Sequence, residues 1–402
     1  MRRVAARRKA KRQGTQPVRQ HRMIAIRLWD WSEWCRQVVR GVQRFAHGRP
    51  DWRLFVDAGP TRAIPLAGGE SAFDGIITSV LSDVRSWKRL IRDGRTKVVS
   101  ITATVPSSLA SIARVQVDDA MVAQTIGRHL LAGGFRRFAY YGAMSPGVDD
   151  ARGKGILAFA EREKCPCDIL EPTSGQAMPV HMPSMTRWVA RLQKPVGIAA
   201  WNMDVARKIA QACQRARVVV PEQAAIVAWD DDVMLAETLE PTISAVVLPA
   251  ERLGYEAASL LHQQMSGSAA PKTPVLVEPS GVLHVRQSSD VSALENREVH
   301  LALQYIREHV GEPLKVSHIT SVLRISRRKF EQDFFRVTRQ TPYEAIVQIR
   351  LERAKQLLIE TDWRISRVAE RCGMGTEQTL RRLMVQHEKI KPAEFRSRFS
   401  AP

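Results

Sequence analysis

Between residue 22 and about residue 286, short apolar runs alternate with stretches whose apolar residues recur every three or four positions. RMIAIRL (22–28) is a run of the first kind. EWCRQVVRGVQRFAHG (33–48) follows, with Cys35, Val38, Val39, Val42 and Phe45 at helical spacing. The same alternation predicts further strands at 52–58, 73–79, 97–101, 136–142, 196–201 and 224–230. Helices are expected at 83–93, 119–132, 150–163, 184–193, 203–215 and 250–265. Such alternation predicts parallel sheets covered by helices on both faces, here as two α/β lobes. The crevice beyond the C-terminal strand ends is where sheets of this kind take small molecules.

Across LHVRQSSDVSALENRE (283–298) the strand pattern stops, and residues 287–298 are expected to be a linker. Residues 299–399 read as helix throughout. Val316, Ile319, Val322 and Leu323 stripe a short helix, RIS makes a tight turn, and Ser326 is a good N-cap. Phe330, Phe334 and Val337 stripe the next helix, giving a helix-turn-helix whose second helix can enter a major groove. TPYEAIVQIRLERAKQLLIE (341–360) is a long connecting helix. Ile365, Val368, Ala369 and Cys372 then repeat the first stripe, Gly373 repeats the turn, and 376–387 repeat the reading helix. In this register Phe330 falls opposite Leu380, Phe334 opposite Met384 and Pro342 opposite Pro392. One all-α domain therefore carries the unit twice.

Charge adds a partner to this outline. The 402 residues hold 61 Lys and Arg against 41 Asp and Glu, a net charge of +20. The excess gathers at the two ends, in residues 1–22 and in 291–402, which points to a polyanion, most simply double-stranded DNA. Residues 1–22 contain no acid and almost no large apolar side chain, so they are expected to be a basic disordered tail. Five cysteines are an odd and sparse set; Cys165 and Cys167 lack the second pair that a four-ligand zinc site needs. No metal or cofactor is expected, and the free thiols fit a reducing compartment. No apolar run approaches the roughly 18 residues that span a bilayer. No apolar region follows the basic start, so no secretory signal is read there and a cytoplasmic location is expected.

QIRLERAKQLL, ISRVAERCGM and KPAEFR, within residues 297–398, resemble the AraC/XylS transcription regulators. The resemblance implies two helix-turn-helix units, each placing a helix into successive major grooves. Chemistry then suggests roles. Arg328 and Gln332 lie one turn apart on the exposed face of the first reading helix, where Arg suits guanine and Gln adenine. Gln378, Thr379 and Arg382 occupy the same face of the second. Arg327, Arg336 and Arg381 are expected to hold phosphates, which position without specifying. The chain departs from the family where Arg324, Arg339 and Lys389 replace the usual glycines, so Arg324 and Arg339 are expected at unfavourable turn angles.

Upstream, DDAMVAQTIGRHLLAGGFRRFAYYG, ARGKGILAFAE and AAIVAWDDDVMLAETLEPTISAV resemble the sugar-binding region of the LacI/GalR regulators, itself similar to periplasmic sugar-binding proteins. The resemblance implies a two-lobed sensor over residues 23–286, with Arg152 as ligand arginine, Asn202 as hydroxyl-binding amide and Asp230 as hydroxyl-binding carboxylate. LWDWSEW places Trp29, Trp31 and Trp34 just after the first strand, where an indole can stack on a sugar ring and Asp30 can accept a hydroxyl. The family commonly carries Gln where Leu248 stands. The implied effector is a small neutral sugar, xylose first and other pentoses next. The expected whole is a homodimeric regulator of a sugar-utilisation operon, acting on operator DNA and, if an activator, with RNA polymerase. Alternatives are a regulator of another carbohydrate, a sensor whose site is degenerate, and, more distantly, a DNA-repair methyl acceptor with an AraC-type domain. Against enzymes stands the lack of a P-loop, a G-x-S-x-G or a Rossmann glycine pattern. The run Asp230-Asp231-Asp232 reads as a sugar contact plus a helix cap rather than a metal site.

Overall fold

The computed structural model describes residues 21–58, 73–81, 83–102, 104–142, 148–170, 181–291, 297–338 and 340–400. The expected basic tail lies outside them up to residue 20, and so does Arg339. Arg22, counted both with that tail and with the run RMIAIRL, opens the first strand.

β1 (Arg22–Leu28) is parallel to β2 (Trp52–Ala58) on one side and to β3 (Gly75–Thr78) on the other. With β4 (Lys97–Ser100), β6 (Ala113–Val117) and β13 (Val275–Val277) they form one six-stranded sheet in the order β13-β6-β4-β3-β1-β2. Within β1, Ile24, Ile26 and Leu28 are fully buried, and Arg27 is buried among them. The second lobe orders β14 (Leu283–His284), β12 (Ser244–Val246), β11 (Ala224–Ala228), β10 (Val196–Ala200), β7 (Phe138–Tyr141) and β9 (Cys167–Leu170). All its pairings are parallel except that of β14 with β12. Continuous burial of β10 and β11 is what a sheet covered on both faces requires.

The chain passes between the lobes three times: from β6 into α3 (Asp119–Ala132), from β12 into α8 (Ala250–Met265), and from β13 into β14. In the first lobe α8 lies against α1 (Glu33–His47). A Cβ on Gly41 would fall 1.8 Å from the Glu251 carbonyl oxygen, and one on Gly254 would fall 2.1 Å from that of Val38. The two backbones approach so closely that only glycine fits at either position. The lobes are also tied across the crevice. β5 (Thr104–Pro106) pairs antiparallel with β8 (Val148–Asp150), and the Glu33 amide donates to the Asp232 carboxylate at 3.3 Å.

Part of the expected linker is packed. Ile226 N–H donates to the Ser288 carbonyl at 2.8 Å and Ser288 N–H to that of Thr242 at 2.9 Å. Ser288, Ser289 and Asp290 are buried, and Arg307 reaches Asp290 at 2.8 Å. Hydrogen bonding to the sheet edge, rather than hydrophobicity, holds this stretch, so its polar sequence gave no sign of it.

The all-α domain comprises α9 (Arg297–Glu308), α10 (Val316–Leu323), α11 (Arg327–Thr338), α12 (Pro342–Glu360), α13 (Ile365–Arg371), α14 (Glu377–Glu388) and α15 (Pro392–Phe399). Phe330 and Phe334 sit in the core of the first unit; Leu380 and Met384 sit in that of the second. The connecting helix α12 starts at a reciprocal cap between Thr341 and Glu344. Arg324 adopts φ 54° and Lys389 φ 59°, so both take the left-handed turn conformation that favours glycine.

Candidate functional site

The three polar residues implied for the ligand gather around one turn of the second lobe. β10 ends at Ala200, and Trp201-Asn202 lead into α6 (Met203–Ala216). Arg152, in the first turn of α4 (Ala151–Arg162), donates to the Trp201 carbonyl, and its guanidinium carbon lies 5.0 Å from the Trp201 ring centroid. Asp230 lies two residues beyond the end of β11 and accepts from the Met203 amide at 2.8 Å. Asn202 is the N-cap of α6: its side-chain oxygen accepts from Val205 N–H at 2.9 Å. That leaves its amide NH2 as the group able to meet a ligand.

Arg152 is held from behind. Its Nε lies 3.4 Å from the buried Asp119 carboxylate, which also accepts from the Trp229 indole at 2.7 Å. Burial raises the Asp119 carboxyl above its ordinary value, with the Arg152 charge and the Trp229 N–H pulling against it. Beside it, Tyr140 donates to Asp150 at 2.9 Å, and Asp150 caps α4. Burial pushes the Asp230 carboxyl up to about 6, with Arg152 opposing.

The three consecutive aspartates do three different things. Asp230 has the partner already named. Asp231 accepts from His284 Nδ1 at 2.5 Å and from both terminal nitrogens of Arg286, at 2.9 and 3.2 Å. Burial would raise it, but these donors outweigh burial and hold it below its ordinary value. Asp232 caps α7 (Val233–Glu237) as it bridges to Glu33. Among the described residues no group of three or more His, Cys, Asp or Glu could hold a metal ion.

The tryptophans divide. Trp29 and Trp31 are 41% and 51% exposed. Asp30 turns back on its own loop, one oxygen accepting from Ser32 N–H at 2.9 Å and facing the Cys35 thiol at 3.2 Å. Trp34, by contrast, lines a cavity of about 570 Å³ together with Asp230 and Leu248. Its indole N–H is buried without an acceptor among the described residues, as is that of Trp201. A buried donor without a partner is costly, about 1–3 kcal/mol, unless something polar enters. Sequence spacing flagged Trp34 only as one of a trio. Nothing in it singled out Trp201, Asp119 or Trp229, which lie far apart in the chain.

On the helical domain, Arg328, Gln332, Gln378, Arg381 and Arg382 are exposed and carry no side-chain hydrogen bond among the described residues. Arg327 pairs with Glu331 at 2.7 Å and Arg336 with Asp333 at 3.0 Å, both on the helix surface. Thr379 is half-buried, its hydroxyl 2.9 Å from that of Thr376, the cap of α14. The two units are fixed to each other by Arg350 of α12, whose guanidinium donates to the Val310 and Glu312 carbonyls at 3.4 and 2.6 Å. Gly373, at φ 66°, sits against the same loop, where a Cβ would meet the Val310 oxygen at 2.6 Å. The motif pattern gave the two units; it did not show this clamp between them.

Family models place a periplasmic binding protein-like domain at residues 128–289 and a helix-turn-helix domain at 319–398. The chain is 25% identical over 369 residues to the xylose operon regulatory protein of Escherichia coli K12, covering 90% of this chain and 93% of the relative. It is 28% identical over 287 residues to the protein of the same name from Haemophilus influenzae, covering 70% and 74%. Among solved structures it is similar to the xylose-binding transcription activator xylR. The TM-score there is 0.56 at 24% identity, over 95% of this chain and all of that one. A LacI family transcriptional regulator from Mycobacterium smegmatis matches 66% of this chain and 98% of its own, with TM-score 0.53 at 21% identity. With a periplasmic binding protein-like domain ahead of a helix-turn-helix domain, the chain is a DNA-binding transcription regulator.

Proposed function

We propose that the chain senses a pentose, xylose first, and controls transcription of the operon that uses it. The observation that carries this is the convergence of Arg152, Asn202 and Asp230 on the turn that starts α6. A guanidinium, an amide NH2 and a carboxylate together can pair the hydroxyls of one aldose ring. Trp34, which lines the same cavity as Asp230, would offer an apolar face; Trp29, Trp31 and Asp30 would stand further out, at the crevice edge. Relatives spanning most of the chain are named as xylose operon regulators, which supports the same sugar. The protein would act as a cytoplasmic homodimer on operator DNA, meeting RNA polymerase where it activates.

Leu248, buried in the cavity wall, favours a second reading in which another carbohydrate with fewer hydroxyls at that position is the effector. Calorimetry with xylose, arabinose, ribose and glucose against wild type and Asp230→Ala separates the two. Xylose should bind wild type, and the variant should lose about 1–3 kcal/mol or more, since the partnered hydroxyls become unsatisfied. Tighter binding of another sugar would establish the second reading. Failure of all four at millimolar concentration would remove the sugar-sensing proposal.

A further inference from the structure

One of the crossings between the sensor lobes is bonded to the helical domain and a second shares a cavity with it, in both cases at the second unit. Glu278 is the first residue after β13, where the third crossing begins. Its two carboxylate oxygens accept from Arg398 on α15, at 2.7 Å from Nε and 2.6 Å from Nη2. This forked arrangement is the strong form of a surface ion pair, because both partners lose little freedom for two charge-assisted bonds. On the second crossing, Leu248 and Pro249 share a cavity wall with Ile359, at the end of α12, and Phe399, at the end of α15. Arg44 on α1 adds a third point, lying 3.2 Å from Glu251 and 3.8 Å from Asp362, just beyond α12. The first unit is held differently, through the pair between Arg307 and Asp290.

We propose that the hinge face of the sensor is the docking surface for the second helix-turn-helix unit, with the Glu278–Arg398 pair as its latch. α15 is bonded to one crossing through Arg398 and faces the other across a shared cavity through Phe399. When lobes open, hinge crossings rotate relative to each other. A rigid helix bonded to one of them and set against the other fits only one of the two lobe arrangements. The arrangement seen is the one in which β5 pairs with β8 and Glu33 reaches Asp232, so the latch belongs to the closed sensor. Closure is thereby transmitted through the hinge to α14, the second reading helix, rather than along the chain that joins the domains. The inference builds on the sugar-sensing proposal only for the identity of what closes the lobes.

The test uses the full chain with Arg398→Glu, Glu278→Arg and the double reversal. Small-angle scattering with and without xylose reads docking, and operator affinity with and without xylose reads coupling. The single reversals should expand the molecule, and the double reversal should restore wild-type compactness. In a coupled regulator an effector changes the second affinity by on the order of 5–150-fold. That factor should fall to about one in each single variant and return in the double. The latch is refuted if the single variants stay as compact as wild type, if they keep the full coupling factor, or if the double reversal restores neither readout. If compactness responds as stated and xylose does not bind, the sugar proposal falls and the docking surface stands.

Discussion

The indole N–H of Trp229 reaches the Asp119 carboxylate at 2.7 Å, joining the end of one lobe-two strand to the start of the helix that enters that lobe. The same carboxylate lies 3.4 Å from Arg152 Nε, so one buried acid sets the position of the arginine implied for the ligand. Asp119→Ala would leave that guanidinium without its counter-charge in a largely buried place. Breaking a buried pair from one side costs about 3–5 kcal/mol. Trp229→Phe removes the N–H donor, a loss of about 1–3 kcal/mol, and adds a cavity cost where the pyrrole half of the fully buried indole stood. Urea unfolding of both variants should show that order; equal and small losses would mean that Asp119 is not holding Arg152.

The raised Asp230 carboxyl gives a pH dependence with a definite sign. Its folded value is about 6, above the ordinary 3.8. Between these values the folded state binds more protons than the unfolded one, so its contribution to stability is full below about 4 and is lost as pH rises through 6. At 1.36 kcal/mol per pKa unit, Asp230→Asn should be more stable than wild type at pH 8 by up to about 3 kcal/mol. The difference should vanish near pH 4. A bound sugar donating hydroxyls to the carboxylate favours its charged form, so sugar affinity should rise with pH through about 6 and then level off. Affinity titrations across pH 5–8 check this, and a flat profile would place the sugar away from Asp230.

How much of this was legible beforehand follows from what spacing encodes. Apolar periodicity carried β1, α1 and both helix-turn-helix units, because Ile24, Val38, Phe330 and Leu380 each bury on the face that the period assigns. Short elements such as β5 and β8 escaped it, since three residues are too few to show a period. Polar packing escaped it as well: Ser288 and Ser289 are buried through hydrogen bonds that no hydrophobic pattern records. In the site, the resemblance supplied Arg152, Asn202 and Asp230. The supports behind them, Asp119 and Trp229, are 110 positions apart and meet only in the folded chain. Arg324, where a side chain is expected to cost strain, takes the left-handed conformation, and Lys389, noted only as replacing a usual glycine, takes it as well.

Paired and unpaired side chains on the two reading helices should share the work on DNA differently. Arg327 and Arg336 of α11 are each paired with a carboxylate of their own helix, so they must exchange that partner for a phosphate on binding. Exposed pairs of this kind are worth about 0–1 kcal/mol, which makes the exchange easy and independent of sequence. Gln378 and Arg382 of α14 are exposed and make no such bond among the described residues. Contacts to base edges are worth about 1–3 kcal/mol of discrimination when bidentate. Gln378→Ala and Arg382→Ala should therefore weaken operator binding by about that much while leaving random duplex nearly unaffected. Arg327→Ala should weaken both equally and reduce the salt dependence of binding by about one phosphate contact. Fluorescence anisotropy at several salt concentrations, on operator and scrambled duplexes, distinguishes the patterns. Uniform losses for all three variants would assign Gln378 and Arg382 to the phosphate backbone.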